Sequence, residues 1–137
     1  MVNHAWIVDE HYMHEFSLIA CNNEDQLIEW CHSGPKKKYF KSYGTQLEDN
    51  NFNGVLGHTS INFDNGQMVV VLFRDYMDGG VKLEVLGHEI IHLIVNVLEM
   101  KGLALNQGSE EAYAYCYSSY YKKLTKQLKK WNEKLIV

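Results

Sequence analysis

Two histidines and a glutamate at helical spacing are the residues best suited to chemistry in this chain of 137 residues. They stand in the run 87–92, Gly-His-Glu-Ile-Ile-His. Residues four apart share one face of a helix, so His88 and His92 can present two imidazoles to a single metal ion. Glu89 lies about 100° around the same turn, beside the metal's open coordination position. A carboxylate there can take a proton from a metal-bound water and pass it to a leaving group, so the motif indicates a metal centre that activates water.

The residues around this motif predict one long helix. The run 82–100 contains no proline and is long enough for about five turns. Its apolar residues lie on nearly every side, which predicts a central, buried helix. Asp78 and the glycine pair at 79–80 provide a start, and Gly102 provides a stop. Two histidines and a glutamate in such a helix would be costly if left unpaired, and a metal relieves that cost.

A third ligand is expected farther along the chain, because a catalytic zinc usually takes three protein ligands and one water. Ser109 is a good N-cap for a second helix, and Glu111 follows His92 after 18 intervening residues. The His-Glu-x-x-His motif, this gap and the Glu-Ala-Tyr-Ala sequence that starts at Glu111 resemble the gluzincin branch of the zincin metallopeptidases, most closely its aminopeptidase-like members. The chain also resembles the very small zincin-like proteins of phage genomes.

The resemblance implies a zinc site with ligands His88, His92 and Glu111. It also implies peptide-bond hydrolysis, with Glu89 as general base and then general acid. Imidazole and carboxylate ligands in an open three-ligand site suit zinc. The chain departs from the family in two respects. It is too short for the further domain that supplies subsites in the large gluzincins, and Glu110 replaces the asparagine that commonly precedes the third ligand. Glu110, directed about 100° away from Glu111, is an alternative ligand.

Three further side chains are candidates near such a centre. Tyr115 lies four residues past Glu111 on its helix face, where a hydroxyl could stabilise a developing oxyanion. Alternatively, the tyrosines of this helix pack on the first helix with their hydroxyls at the surface. His58 could reach the metal or an oxyanion, or be structural. Asn96, four residues past His92, could orient a ligand or be a satisfied interior amide.

The remaining elements predict a small sheet. Residues 14–20 read as a strand, and residues 24–32 as a short helix with Asn23 as its cap. Runs 57–63 and 67–73 flank an Asp-Asn-Gly turn, a strong hairpin signal. The second of these strands is apolar on both faces and is expected to be central. By the resemblance, the first strand, 58–63, is the edge expected to bind substrate backbone.

Three segments give weaker signals. Residues 1–14, with three histidines, predict an exposed, partly ordered terminus in preference to an accessory metal site. In 36–56, lysines interleave with aromatic residues, which could bind nucleic acid. A solvated face is favoured because the net charge is −4, and 48–54 is expected to be a loop. The lysines that follow Tyr121 could dock an anionic partner, but they also suit the C-terminal end of a helix electrostatically.

Length and composition predict one domain over residues 1–137. Three cysteines without Cys-x-x-Cys spacing predict reduced thiols in a cytoplasmic protein. Neither a secretory signal nor a membrane-spanning apolar run is recognised in the sequence.

The expected fold is α+β and zincin-like: a small antiparallel or mixed sheet packed on the metal-binding helix and on a second long C-terminal helix. The expected function is a zinc metallopeptidase acting on a peptide or protein substrate. The alternative is a zinc-stabilised small binding or inhibitor protein of phage type, which occupies a protein partner without catalytic turnover. Glu89 and an open fourth coordination position are dispensable for such a binder, so they discriminate between the two.

Overall fold

The computed structural model describes residues 1–50 and 54–137. In chain order, the elements within these residues are β1 (Asn3–Asp9), β2 (His14–Cys21), α1 (Glu24–Ser33), α2 (Lys37–Asp49), β3 (Gly57–Asn62), β4 (Gln67–Phe73), β5 (Val81–Lys82), α3 (Leu83–Met100), α4 (Glu110–Lys130) and β6 (Leu135–Ile136). The fold is α+β with a small mixed sheet, as the sequence predicts at this level.

Two antiparallel hairpins joined by a parallel pair make the main sheet. The strand order is β1-β2-β4-β3, and β2 and β4 run parallel at the centre. The prediction that the second hairpin strand is central is therefore confirmed, and β3 lies at an edge. Strands β5 and β6 form a separate parallel pair.

Side chains that alternate along β2 and β4 divide the core into two layers. Leu18 and Val70 pack with α3 and α4, whereas Ile19 and Val71 pack with α1 and α2. Successive side chains of a strand point to opposite faces, so the sheet lies between two helical layers. Both central strands are buried on each face, which explains their nearly continuous apolar sequence.

Helix α3 carries a buried face and an exposed face. Leu86, Ile90 and Leu93 are fully buried against the sheet. On the opposite side His88 and His92 are exposed, and 49% of Ile91 is accessible to solvent. The prediction of a central, buried helix is therefore confirmed for one face of α3 and wrong for the other, because some of its apolar residues line an open groove against α4 instead of the core.

The N-terminal segment forms strand β1, so the prediction of a partly ordered terminus is wrong. Buried and exposed side chains alternate at the end of β1, but polar residues occupy some of the inward positions, so the sequence does not show this alternation. Ile7 is buried in the core, and the buried carboxylate of Asp9 accepts a hydrogen bond from the hydroxyl of Tyr120 at 2.5 Å. His4 packs on Trp30 and Phe40, and burial followed by the charge of Lys36 lowers its pKa to about 3.

Helix α2 is an element that the sequence pattern did not predict. Its buried residues Phe40, Tyr43, Gly44 and Leu47 follow helical spacing. Gly44 is required where α2 crosses α1, since a Cβ there would lie 2.8 Å from the Cβ of Cys31. The expected loop at 48–54 begins later than predicted, because α2 continues to residue 49. Residues 51–53 of that loop lie outside the described residues.

A partly buried ion pair fixes the C-terminal segment to the sheet. The guanidinium of Arg74 lies 2.6 Å from a carboxylate oxygen of Glu133, which also accepts a hydrogen bond from Asn3 at 2.9 Å. The hydrogen bonds from Arg74 hold the pKa of Glu133 below its usual range. Among the described residues, no helix is both long and apolar enough to cross a membrane.

Candidate functional site

The two motif histidines stand one turn apart on the exposed face of α3. Their Nε2 atoms are 3.2 Å apart, and their ring centroids are 4.9 Å apart. Two nitrogens bound to one tetrahedral zinc at 2.0–2.1 Å are separated by about 3.4 Å. The pair of imidazoles therefore matches one edge of a zinc coordination sphere, so His88 and His92 fit the metal that the motif implies.

Glu89 lies on the side of α3 that faces strand β3. Only 4% of it is exposed. The hydroxyl of Thr59 donates to Glu89 Oε1 at 2.9 Å and lies 3.3 Å from the Glu89 backbone carbonyl. The second carboxylate oxygen, Oε2, lies 4.0 Å from His88 Nε2. One oxygen is thus held by the strand, while the other faces the imidazole of His88.

A cleft of about 450 Å³ opens between α3 and the segment that leads into β3. Its lining residues are Val55, Leu56, Gly57, Glu84, Val85, His88 and Glu89. At Gly57 an added Cβ would lie 2.9 Å from Val85 Cγ1 and 3.2 Å from Glu89 Cγ. Strand and helix can approach this closely only because position 57 has no side chain.

Strand β3 offers a partly open backbone edge beside this cleft. The Phe73 amide bonds to the Leu56 carbonyl, so with the observed register the backbone groups of Gly57 and Thr59 point away from β4. The side chain of Gln46 covers the next outward position by donating to the Ile61 carbonyl at 2.9 Å. Among the residues that the structure describes, the open part of the edge is therefore the part nearest Glu89.

The predicted third ligand does not join the two imidazoles. Within residues 1–50 and 54–137, no group of three or more His, Cys, Asp or Glu side chains is placed to hold a metal ion. Glu111 is exposed on the first turn of α4. Glu110 lines the groove between α3 and α4 together with Ile91 and Val95. The choice of Glu111 as ligand stays a prediction, and Glu110 is the acid that faces α3.

Tyr115 and Tyr117 of α4 face different neighbours. Tyr115 is 57% exposed, and its ring centroid lies 5.4 Å from that of His11. Tyr117 instead faces the motif, because its hydroxyl lies 3.0 Å from the position that a Cβ on Gly87 would occupy. The structure thus brings Tyr117 to the motif helix and places Tyr115 against the turn that follows β1.

The remaining candidates lie away from the imidazole pair. His58 is buried on the opposite face of β3 from Thr59, with its ring centroid 5.8 Å from that of Phe73, and burial lowers its pKa to about 4. It is part of the α1/α2 side of the core and not of the cleft. Asn96 is exposed and donates to the backbone carbonyl of His92 at 2.7 Å, so it does not touch the imidazole.

Thr59 and Glu84 are residues of this site that the sequence pattern did not single out. Thr59 meets Glu89 across a separation of 30 residues in the chain. The only local signal for it is the alternation of β3, which places 57 and 59 on one face. The signal for Glu84 is its position four residues before His88, on the same side of the helix.

Comparison with known proteins adds no relative. Neither a family model, nor a curated protein, nor a solved structure matches this chain. Its function is therefore inferred from the residues of the chain itself and from the geometry described above.

Proposed function

We propose that this protein is a zinc-dependent metallopeptidase with a zincin-like arrangement of its edge strand and motif helix. The observation that supports this most is the 3.2 Å separation of the Nε2 atoms of His88 and His92, next to a buried carboxylate held in one orientation. Two solvent-exposed imidazoles this close are well placed to share one metal ion. Burying the carboxylate of Glu89 costs free energy, so its position beside the imidazoles is better explained by a chemical role than by packing.

In this proposal each residue has a defined task. His88 and His92 hold the metal, with Glu111 as the third ligand and Glu110 as the alternative. Bound zinc supplies a Lewis acid for the scissile carbonyl and lowers the pKa of its water. Glu89 accepts the proton of the attacking water at Oε2 and delivers it to the leaving amine. Tyr115 is the candidate that the sequence offers for stabilising the oxyanion, whereas Tyr117 is the tyrosine whose hydroxyl lies close to the motif helix at Gly87.

The substrate is proposed to be an extended peptide or a flexible segment of a protein. The outward backbone groups of Gly57 and Thr59 can pair with it as an added strand, which brings a peptide bond along the cleft toward Glu89. A cytoplasmic location is part of the proposal and is supported by the three buried free thiols of Cys21, Cys31 and Cys116. The negative net charge of −4 makes nucleic acid an unfavourable partner.

The zinc content of the purified chain tests the metal site. We expect about one zinc per chain, and less than about a tenth of that in His88→Ala, because a two-ligand site binds zinc weakly. Glu111→Ala should lose zinc as well if Glu111 is the third ligand. The measurement is elemental mass spectrometry on protein purified without chelators or a histidine tag, with Glu99→Ala, which changes an exposed acid at the far end of α3, as the matched control.

Each outcome of the zinc measurement has a definite meaning. A metal-free parent chain would contradict the proposal. Zinc in the parent and in Glu111→Ala, with loss in Glu110→Ala, would assign the third ligand to Glu110. Bound zinc without cleavage of any member of a peptide library would favour the alternative of a zinc-stabilised binding protein.

A second test concerns the hydrogen bond between Thr59 and Glu89. Thr59→Val removes the hydroxyl and keeps the side-chain shape, so Glu89 Oε1 loses its donor. Since a hydrogen bond to a charged group contributes about 1.5–3 kcal/mol, we expect kcat to fall about tenfold or more with KM unchanged. Thr59→Ser should retain near-parental kcat. Equal kcat values for the valine and serine variants would contradict the proposal that the Thr59 hydroxyl positions Glu89.

A further inference from the structure

The cleft beside Glu89 has apolar walls and an acidic side chain at its rim. Val55, Leu56 and Val85 supply the walls. Glu84, on the first turn of α3, is exposed and lines the same cleft four residues before His88. None of the described residues that line the cleft is lysine or arginine. The cleft therefore combines space for an aliphatic chain with a negative charge at its mouth.

The basic residues nearest to Glu84 in the chain are engaged elsewhere. Lys82 pairs with Asp75 at 3.4 Å, and Arg74 pairs with Glu133 at 2.6 Å. These ion pairs direct both cations toward other carboxylates. Among the described residues, neither of these two cations forms an ion pair with Glu84.

We propose that this cleft selects a lysine or arginine side chain of the substrate, with Glu84 as the specificity-determining residue. The proposal rests on the proposed peptidase function and names its substrate class: peptides with a basic residue close to the scissile bond. The methylene stem of the basic side chain packs on Val85 and Leu56, and its cationic end lies at Glu84. Long basic side chains commonly divide in this way between apolar surface and a charged partner.

The magnitude of this selectivity follows from the exposure of Glu84. Ion pairs between exposed groups are worth up to about 1 kcal/mol, which corresponds to about fivefold in affinity. Partial enclosure by the walls of the cleft strengthens the interaction, and salt weakens it. We therefore expect a preference of about three- to fivefold for a basic residue over an uncharged residue with the same aliphatic stem.

Peptide binding tests this inference without requiring turnover. The protein is the full chain with Glu89→Gln, to prevent cleavage, and with zinc added. The probes are fluorescently labelled hexapeptides that carry lysine at one position and alanine elsewhere, beside matched peptides with norleucine at that position, whose four-carbon chain equals the methylene stem of lysine without the ammonium group. Fluorescence anisotropy gives the affinities. We expect lysine to bind about three- to fivefold more tightly than norleucine at one position or more, and adding Glu84→Gln should abolish the difference.

Two matched variants exclude a general electrostatic effect. Glu99→Gln removes the same charge from the other end of α3 and should keep the preference for lysine. Glu84→Lys should reverse the preference, so that glutamate peptides bind better than lysine peptides. Urea denaturation of Glu84→Gln verifies that the variant remains folded, and Glu84→Asp should retain the preference for lysine if folding is otherwise intact.

The outcomes separate this inference from the proposed function. Cleavage by the parent chain with equal use of lysine and norleucine peptides would overturn the inference and leave the peptidase proposal standing. A lysine preference that disappears in Glu84→Gln, without cleavage by the parent, would support the inference as a binding property and contradict the peptidase proposal. Equal or undetectable binding of all peptides overturns the inference.

Discussion

Glu89→Gln is expected to abolish peptide hydrolysis while leaving zinc bound at the stoichiometry of the parent chain. The substitution keeps the size of the side chain, and its amide oxygen can still accept the Thr59 hydrogen bond that Oε1 accepts at 2.9 Å. What is lost is the oxygen that faces the imidazole of His88, 4.0 Å from His88 Nε2, together with its ability to hold a proton. General acid–base catalysis contributes about 10²- to 10⁴-fold, so kcat/KM should fall by at least about 10².

The measurement combines turnover of a peptide library with metal content on the same preparations. Glu99→Gln is again the matched control, because it removes an exposed carboxylate of α3 that lies outside the cleft, and it should keep parental turnover. Full activity of Glu89→Gln would refute the role assigned to Glu89. Loss of zinc from this variant would instead show that the carboxylate contributes to holding the metal.

Asp9→Ala is expected to destabilise the fold more than any of the substitutions at the cleft. Asp9 is 3% exposed and accepts a hydrogen bond from the hydroxyl of Tyr120, whose side chain is fully buried. The same carboxylate accepts from the backbone amides of His11 at 2.9 Å and Tyr12 at 3.2 Å. Burial, followed by the hydrogen bond to Asp9, raises the pKa of Tyr120, so its hydroxyl stays a donor across the ordinary pH range.

Removing this carboxylate leaves a buried hydroxyl and two backbone amides without their acceptor. Each such loss costs about 1–3 kcal/mol when water cannot replace the partner. The two amides lie near the surface, so water can replace their acceptor and their loss costs less than that of the buried hydroxyl. We expect the free energy of unfolding to fall by about 3 kcal/mol, which urea denaturation can measure. In a double-mutant cycle, Tyr120→Phe should cost less alone and should reduce the effect of Asp9→Ala. Strict additivity of the two changes would contradict the coupling.

The sequence predicted those elements whose signals are local. Asn23 caps α1 by accepting from the Gln26 amide at 2.8 Å, and Gly66 adopts φ +70° in the turn between β3 and β4. Helices α3 and α4 occur where the motif and Ser109 indicated, but Ser109 occupies the N-cap position of α4 without a side-chain capping hydrogen bond, since its hydroxyl donates to the Ala104 carbonyl. In each case residues next to each other in the chain determine the structure, and neighbours distant in sequence do not change it.

In the elements that were missed, the burial of particular side chains depends on distant partners, although β1 itself pairs with the neighbouring strand β2. Strand β1 is stabilised by Asp9 meeting Tyr120, 111 residues away, and nothing near Asp9 reveals that an acid can face the core there. Helix α2 places Tyr43 against Ser60 of β3, where the two hydroxyls are 2.9 Å apart. Lysines at its start suggested a solvated surface and concealed the apolar face of the helix.

The same distinction applies to the candidate site. His88, Glu89 and His92 could be recognised because helical spacing alone brings them together. Thr59 could not, since its contact with Glu89 depends on the register of β3 and on the approach of Gly57 to α3. The position of Glu111 relative to the imidazoles depends on the rotation of α4 about its axis, which a gap of 18 residues does not determine.

The parallel seam between β2 and β4 also has a consequence for how the chain folds. Each antiparallel hairpin joins neighbouring segments of the chain. The seam instead pairs Leu18 with Val70 and so closes a loop of about 50 residues. Closing so long a loop is slow because the chain loses conformational entropy before the contacts form. Until it closes, the two most apolar strands each have an unpaired edge, a surface prone to aggregation. The helix that carries His88 is made later in synthesis than both strands. Newly made chains are thus most vulnerable before this seam has closed, irrespective of whether a metal is present.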